Sequence, residues 1–312
     1  MTLQRLEAQV LFKVRSKLQK KWFDLQANAI LQTPVVHSDP DSQLVILSQL
    51  YHPDLTMYLV AVKSLCRYLR PQRLVIVDDG LTAQDKQTLH AHLESLSFVP
   101  SAQVLSGKCP KGGTWERLLT IADLNGDAYV IQLDADTITV QRPDEVLACV
   151  ASNASFALGT PGGRQVSSLL ATSQIAATWE GSHVQTLAEQ AMHRLPSDMG
   201  NRYVHGCSGF AGFKTGSITR SAIERFSNIM AEMLGTQKWQ EWGSEQVTSN
   251  YMVANCPGAV ILPPETYPFW KTGVSVAEAR FFHFFGTHRF EGGMYARTAQ
   301  SVVADLTGRR RT

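Results

Sequence analysis

Two aspartates one residue apart, Asp134 and Asp136, stand in Leu133-Asp134-Ala135-Asp136-Thr137, directly after the apolar run YVIQL. Hard divalent cations take oxygen ligands, and alternation in an extended chain points residues i and i+2 the same way. The pair is therefore a candidate Mn2+ or Mg2+ site of the kind that bridges two carboxylates to a diphosphate. Its ordinary alternative is a surface Asp-x-Asp at a strand end. A second group, Phe282-His283-Phe284-Phe285-Gly286-Thr287-His288-Arg289, offers His283 as a further metal ligand, with His288 ranked below it. Gly286 lets backbone approach a ligand closely, and Arg289 can neutralise a phosphate. A packed histidine among aromatics is the competing account of His283.

Three weaker features complete the set. In Ser244-Glu245-Gln246-Val247-Thr248-Ser249-Asn250, Glu245 and Gln246 fall early in an expected helix, where they can address a polar substrate or simply start the helix. Asp78-Asp79-Gly80 follows LVIV and reads as a substrate contact or a turn. The glycine loop Lys111-Gly112-Gly113-Thr114 runs into a helix bearing Arg117, and helix N-termini attract phosphate. It is not a Walker loop, because G-x-x-x-x-G-K-[ST] is absent.

The elements that must position these groups alternate in type. Strands are expected at 44–48, 74–77, 98–105, 129–133, 155–159 and 210–213. Helices are expected at 55–69, 82–96 (capped by Thr82), 115–124, from Pro143 at the first helical position, 217–234 and 243–254. This rhythm implies a mostly parallel α/β sheet covered on both faces, with ligands beyond the carboxyl ends of its strands. Both aspartate pairs then belong on one rim. Residues 1–30 read as an amphipathic helix with Leu3, Leu6, Val10, Val14, Leu18 and Leu25 as its apolar stripe. Its Lys and Arg residues, from Arg5 to Lys21, face a single acid, Glu7. That helix either packs on the domain with a solvated basic face or touches anionic lipid. The stretch 33–42 is a linker, and Arg309-Arg310-Arg311 reads as a disordered end.

Composition bounds the rest. With 312 residues, 44% of them apolar and 18% charged, the chain can bury a large core. A net charge of +2 gives no reason to expect a nucleic-acid partner. The five cysteines are scattered without a C-x-x-C pair, so a disulfide framework is not expected, and no run approaches the ~20 apolar residues of a transmembrane helix. Charges break the first residues where a signal peptide has its apolar core, so a cytoplasmic location is expected.

The order of the motifs resembles the GT-A glycosyltransferases, and within them the glycogenin-like and lipopolysaccharide-galactosyltransferase-like enzymes of glycosyltransferase family 8. The resemblance runs from about Leu44 to about Phe290. LVILSQLYHPDLTMYLVAVKSL is similar to that family's first strand, uridine-stacking tyrosine (here Tyr51) and following helix. RLVIVDDGLTAQDKQTL is similar to its second strand and helix, and LDADT to its D-x-D. GCSGFAGF, which holds Ser208, resembles its N-(S/A)-G segment; EQVTSN resembles D-Q-x-x-x-N, and HFFGTHR resembles H-x-x-G-x-x-K. The departures are Ser48-Gln49 for the first-strand acid, Cys207 for Asn, Glu245 for Asp and Arg289 for Lys, and 160–206 matches nothing in the family.

The resemblance implies a GT-A catalytic domain over 43–292, preceded by the helix and linker (1–42) and followed by a tail (293–312). It implies transfer of a sugar from a nucleoside-diphosphate sugar, a UDP-sugar by preference, to a saccharide, protein or small-molecule hydroxyl. Asp134, Asp136 and His283 would hold the metal. Tyr51, Asp78, Asp79, Arg117, Asp134, Ser208, Gly286 and Arg289 would bind the donor, and Gln246, Glu245 and Asp134 would serve catalysis. Retention is the implied outcome; inversion would need a carboxylate base, for which Glu245 and Asp198 are the candidates. Two rivals stand beside it. One is a non-catalytic nucleotide-sugar binder or scaffold. The other is a sugar-phosphate nucleotidyltransferase, whose glycine loop should follow the first strand, where Ser48-Gln49-Leu50-Tyr51 stands instead.

Overall fold

The fold was obtained as a computed structural model that describes residues 3–308, with side chains described from Arg15 onward. The side chains of Leu3, Leu6, Val10 and Val14, and the basic end Arg309–Arg311, lie outside the described residues. In chain order the first half contains α1 (Leu3–Ala27), β1 (Leu44–Leu50), α2 (Leu55–Leu65), β2 (Arg73–Asp78), α3 (Ala83–His92), β3 (Leu96–Pro100), α4 (Trp115–Leu124), β4 (Tyr129–Leu133), β5 (Thr137–Thr139) and α5 (Asp144–Ala151). The second half contains β6 (Phe156–Leu158), β7 (Ser167–Ser168), α6 (Leu169–Ala176), α7 (Val184–Ala191), β8 (Arg202–Tyr203), β9 (Cys207–Phe213), α8 (Arg220–Leu234), α9 (Thr236–Trp239), α10 (Ser244–Ala254), β10 (Val260–Leu262), β11 (Phe281–His283) and α11 (Met294–Leu306).

Seven strands form one sheet in the order β10-β6-β9-β4-β1-β2-β3. The pairs β4–β1, β1–β2, β2–β3 and β10–β6 are parallel, while β9 runs antiparallel between β4 and β6. The expected mostly parallel sheet is thus present, with one reversed strand. Alternation divides each central strand between two cores: Leu44 and Ile46 of β1 face one side, with α2 and α11, whereas Val45 and Leu47 face the other, with α4, α8 and α10. Because both faces are covered, Val45, Ile46 and Leu47 are fully buried.

Several local expectations shift. Thr82 does cap α3, through a capping box in which Thr82 Oγ1 accepts from Asp85 N–H and Asp85 Oδ2 from Thr82 N–H. That helix ends at His92 rather than Leu96, because Leu93 bridges to Val36 and Ser95 turns the chain at φ 48° into β3. β3 in turn stops at Pro100, and Leu105, expected in the strand, is 79% exposed. Pro143 precedes the first helical residue of α5 instead of occupying it.

The ends of the described chain are not appendages. Phe23 of α1 packs against Tyr295 of α11, the rings tilted by 34° with centroids 4.2 Å apart, and Arg67 just past α2 pairs with Asp305 at 3.1 Å. Phe23, Ile30, Tyr295 and Ala299 are fully buried in the same core as β1. Each such large side chain contributes about 1.5–3 kcal/mol. The expected boundaries at 42/43 and 292/293 therefore do not separate packing units, and the expected tail contains a helix. The expected stripe also turns outward: Leu18 is 62% and Leu25 75% exposed, and Phe23 and Ala27 face the core instead. Among the described residues, no helix is long and apolar enough to cross a membrane.

Candidate active site

Since β1, β2 and β4 are parallel, their carboxyl ends share one rim, and antiparallel β9 begins at that rim. A cavity of about 910 Å³ opens there. Every site residue expected from the sequence lines it except Asp78 and the alternative base Asp198. Asp78 belongs to a turn: its Oδ1 accepts from the N–H groups of Gly80 and Leu81, and its Oδ2 pairs with Lys86 at 2.5 Å. Burial acts against, but hydrogen bonds from Lys86 and those amides outweigh it and hold the Asp78 carboxyl below its ordinary range. Asp198 is likewise displaced from its expected role as a candidate base. It lies outside the cavity lining, exposed and paired with Arg225 at 2.6 Å.

Asp134 and Asp136 do converge, but not by strand alternation. Ala135 and Asp136 form a turn between β4 and β5. Asp134 N–H donates to Gly209 O at 2.8 Å, Thr137 Oγ1 to Asp134 O at 2.8 Å, and Phe284 N–H to Asp136 O at 2.8 Å. β11 pairs antiparallel with β5 so that His283 sits opposite Thr137, one residue past Asp136. His283 Nε2 then lies 3.2 Å from Asp136 Oδ1 and 3.6 Å from Asp134 Oδ2. One ligand atom from each of the three residues falls within 4.8 Å of the others. The opposite oxygens are held from outside, Asp134 Oδ1 by Arg117 Nη1 and Asp136 Oδ2 by Arg289 Nη2 at 2.6 Å. The wall opposite is Gly209, where a Cβ would lie 2.8 Å from His283 Nδ1 and 2.9 Å from Asp134 Oδ2.

Charge explains the protonation of this cluster. Burial lowers the proton affinity of His283, but the Asp136 carboxylate and the Cys207 sulfur beside it outweigh burial and hold the ring well above the ordinary histidine range. Burial raises Asp136, yet His283 and Arg289 bring it below the usual carboxylate range. Burial together with Asp136 holds Asp134 above that range, against the pull of Arg117 and His283. A protonated imidazole thus supplies the positive charge between two carboxylates. The donor set of two carboxylates and one imidazole suits a divalent cation, which would take over that charge as the proton leaves.

Glu245, the second residue of α10, is 2% exposed. Its Oε2 accepts from Thr114 Oγ1 at 2.9 Å, Ser208 Oγ at 3.2 Å and Arg117 Nη2 at 3.4 Å, while Oε1 is buried without a partner. Burial raises its carboxyl, with Arg117 opposing. Gln246 Oε1 accepts from Ser208 N–H at 3.3 Å, and Gln246 Nε2 donates to Gln185 Oε1 at 3.0 Å. At the other end Tyr51 is 48% exposed, and Asp79 accepts from Gln49 and Ser101. Gly286 takes φ 61°, which a side chain would strain, as the first residue of the one-turn helix that Arg289 ends. Of the aromatics, Phe269 and Trp270 line the cavity, whereas Tyr203 and Tyr267 are fully buried.

The structure adds residues that the sequence had not singled out, Asp54, Gln185, His205 and Trp242, and Thr114 of the glycine loop lines the cavity with them. Asp54 follows Tyr51 by three residues, and burial pushes its carboxyl up to about 6, against the pull of Arg289. Thr114 stands at φ 73° ahead of α4, which turns its hydroxyl to Glu245.

The fold has solved counterparts. The chain superposes on the galactosyltransferase LgtC, solved with donor and acceptor sugar analogs, with TM-score 0.53 and 13% identity over 84% of this chain and 96% of that one. The chain adopts the GT-A fold. The apo structure of the bifunctional glycosyltransferase WbbM is similar at TM-score 0.47 and 11% identity, over 89% of this chain and 53% of that one. No protein-family model matches the sequence, nor does any curated protein. The GT-A rim is where Asp134, Asp136 and His283 meet.

Proposed function

We propose that this chain is a metal-dependent glycosyltransferase that moves a sugar from a nucleoside-diphosphate sugar, by preference a UDP-sugar, to an acceptor hydroxyl. The observation that carries the proposal is the convergence of Asp134, Asp136 and His283, backed by Arg117 and Arg289, inside a large cavity at the carboxyl-end rim of a GT-A sheet. Asp134, Asp136 and His283 are the residues that would hold Mn2+ or Mg2+. Such an ion supplies Lewis-acid neutralisation of the negative charge that grows on the diphosphate.

The protein's own groups do the rest. Arg289, fixed by Asp136 and Phe284 O, adds a guanidinium beside the diphosphate position. Tyr51 offers an exposed ring to the nucleobase, and Gly286 lets backbone approach the phosphates. Arg117 locks Asp134 to Glu245, so the acid and its neighbour Gln246 stay aligned along the cavity wall. Gln246 presents its carboxamide towards the sugar, and Glu245, held by donors from Arg117, Thr114 and Ser208, orients that wall. Asp198 is paired outside the cavity and Glu245 is held by Thr114, Ser208 and Arg117, so neither carboxylate candidate is placed as an inverting base, and retention is the favoured outcome. The exposed Leu18, Trp22 and Leu25, flanked by Lys17 and Lys21, support peripheral contact of α1 with anionic lipid.

The test is release of nucleoside diphosphate from a set of nucleotide sugars, with and without Mn2+, with products identified by mass spectrometry. Metal-stimulated release with a glycosylated product is the expected result. Tight donor binding with no turnover across an acceptor panel would instead make the chain a binding scaffold.

A further inference from the structure

A buried polar network lies in the one segment whose sequence matched nothing, residues 160–206. Its centre is Glu189 of α7, 0% exposed. A carboxylate only accepts hydrogen bonds, and Glu189 accepts from Tyr203 Oη at 2.9 Å, Gln185 Nε2 at 2.9 Å and His205 Nδ1 at 2.8 Å. These donors offset the burial of its charge. Gln185 Nε2 also approaches His205 Nδ1 at 3.3 Å, but both Glu189 oxygens lie nearer, at 2.8 Å, and only accept, which favours the tautomer with the proton on Nδ1 and the lone pair on Nε2.

With Nδ1 turned inward, the other ring edge meets the cavity. His205 lines it, 30% of its side chain is exposed, and no described residue hydrogen-bonds Nε2. The ring is held in place. Trp179 packs edge-on at 4.9 Å, Thr160 Oγ1 donates to His205 O at 2.6 Å, and Gly163 lies so close to that carbonyl that a Cβ would overlap it. The same carboxylate reaches Gln246: Glu189 fixes Gln185, whose Oε1 accepts from Gln246 Nε2. A histidine oriented through one nitrogen by a buried carboxylate, with the other nitrogen open, is an arrangement suited to taking a proton from a hydroxyl.

We propose that His205 contacts the acceptor hydroxyl and takes its proton, with Glu189 as its positioning residue. The inference rests on the glycosyl-transfer reading above. In the step, the acceptor O–H bond breaks and its proton goes to His205 Nε2. The bond from acceptor oxygen to anomeric carbon forms, and the bond from that carbon to the diphosphate breaks, its electron pair leaving with the diphosphate. The ionisable groups facing the ring are Glu189 from α7 and, behind it, Tyr203 from β8; Trp179 and the 160–163 turn contribute none.

The experiment begins with wild-type protein, Mn2+, UDP-sugars and free oligosaccharides as acceptors. Absence of any transfer removes the glycosyl-transfer reading, and this inference with it. With an active pair in hand, His205→Gln is expected to lower kcat about a hundredfold or more, while melting temperature is kept and the donor Kd moves less than about twofold. Imidazole in the medium should restore transfer to His205→Ala. Glu189→Gln should lower kcat as well; if it does not fold, the His205 variants carry the test. Transfer within about threefold of wild type in folded His205→Gln overturns the inference alone. So does a loss that imidazole does not rescue and that tracks melting temperature.

Discussion

Arg289 Nη2 lies 2.6 Å from Asp136 Oδ2, joining residues 153 apart in sequence. The contact occupies the outer oxygen of Asp136 and leaves Oδ1 towards His283, 3.2 Å away. One ion pair thus couples the turn after β4 to the segment that follows β11.

Asp136→Asn keeps the shape of that turn and removes its charge. Metal-dependent turnover should fall by at least about a hundredfold. The fold should survive at neutral pH, because His283 can shed the proton that Asp136 holds on it. Nucleoside diphosphate release titrated with Mn2+, beside a thermal melt, checks both parts. Undiminished turnover would take Asp136 out of the mechanism.

His283 makes the metal-free protein pH-sensitive. Its folded-state proton affinity is raised above the ordinary value, chiefly by Asp136 acting against burial. The protonated ring therefore adds stability that is fully present below about pH 6.5 and lost as pH rises through the folded-state value. A divalent ion must displace that proton, so metal affinity should increase with pH. Melting of metal-free protein across a neutral-to-alkaline series, compared with His283→Ala, reads the first effect; Mn2+ titrations at the same pH values read the second. Identical slopes in the two proteins would make His283 a packing residue only.

Gly209→Ala introduces a methyl group against His283 and Asp134, where a Cβ would overlap His283 Cε1 and lie 2.9 Å from Asp134 Oδ2. Overpacking of this sort costs about 1–3 kcal/mol. The Mn2+ concentration for half-activity should rise more than melting temperature falls, because the displaced atoms are ligands. Wild-type metal response in a folded Gly209→Ala protein counts against the assigned ligand set.

Asp54 works in the opposite sense from an ordinary surface acid. Burial raises its carboxyl from 3.8 to about 6, so the ionised form is disfavoured in the fold. Its contribution is largest below the unfolded value and is lost as pH rises through about 6. Asp54→Asn should therefore stabilise the protein at pH 7–8 by on the order of 1 kcal/mol after solvent screening is allowed for, and not at pH 4. Chemical denaturation at the two pH values decides it.

The outward face of α1 sets a last test. Leu18, Trp22 and Leu25 are exposed beside Lys17 and Lys21, so the chain should sediment with anionic vesicles at low salt and not with neutral ones. Leu18→Ser with Leu25→Ser should abolish sedimentation without touching the core. No sedimentation at low salt retires the lipid contact.

Much of the molecule was legible because its signals are local. The apolar runs at 44–47, 74–77 and 129–133, each followed by polar or acidic residues, named the central strands and their functional rim. Thr82 and Asp85 named a helix start, since a capping box spans three residues. The D-x-D, the HFFGTHR segment and Glu245-Gln246 were visible as residue types at short spacing. The reversed strand β9 and the inward face of α1 were not, because pairing direction and facing are set by partners far along the chain.

Residue types and short spacings, then, determined the α/β rhythm and which side chains carry chemistry. Tertiary structure decided who meets whom. The β5–β11 register brings His283 to Asp136, a turn rather than an extended chain converges the two aspartates, and the turn at Gly80 removes Asp78 from the cavity. His205 gained a candidate role only when folding set it against Glu189. Helical and strand periodicities report neighbours within a few residues, whereas these contacts depend on long-range packing that no local pattern encodes.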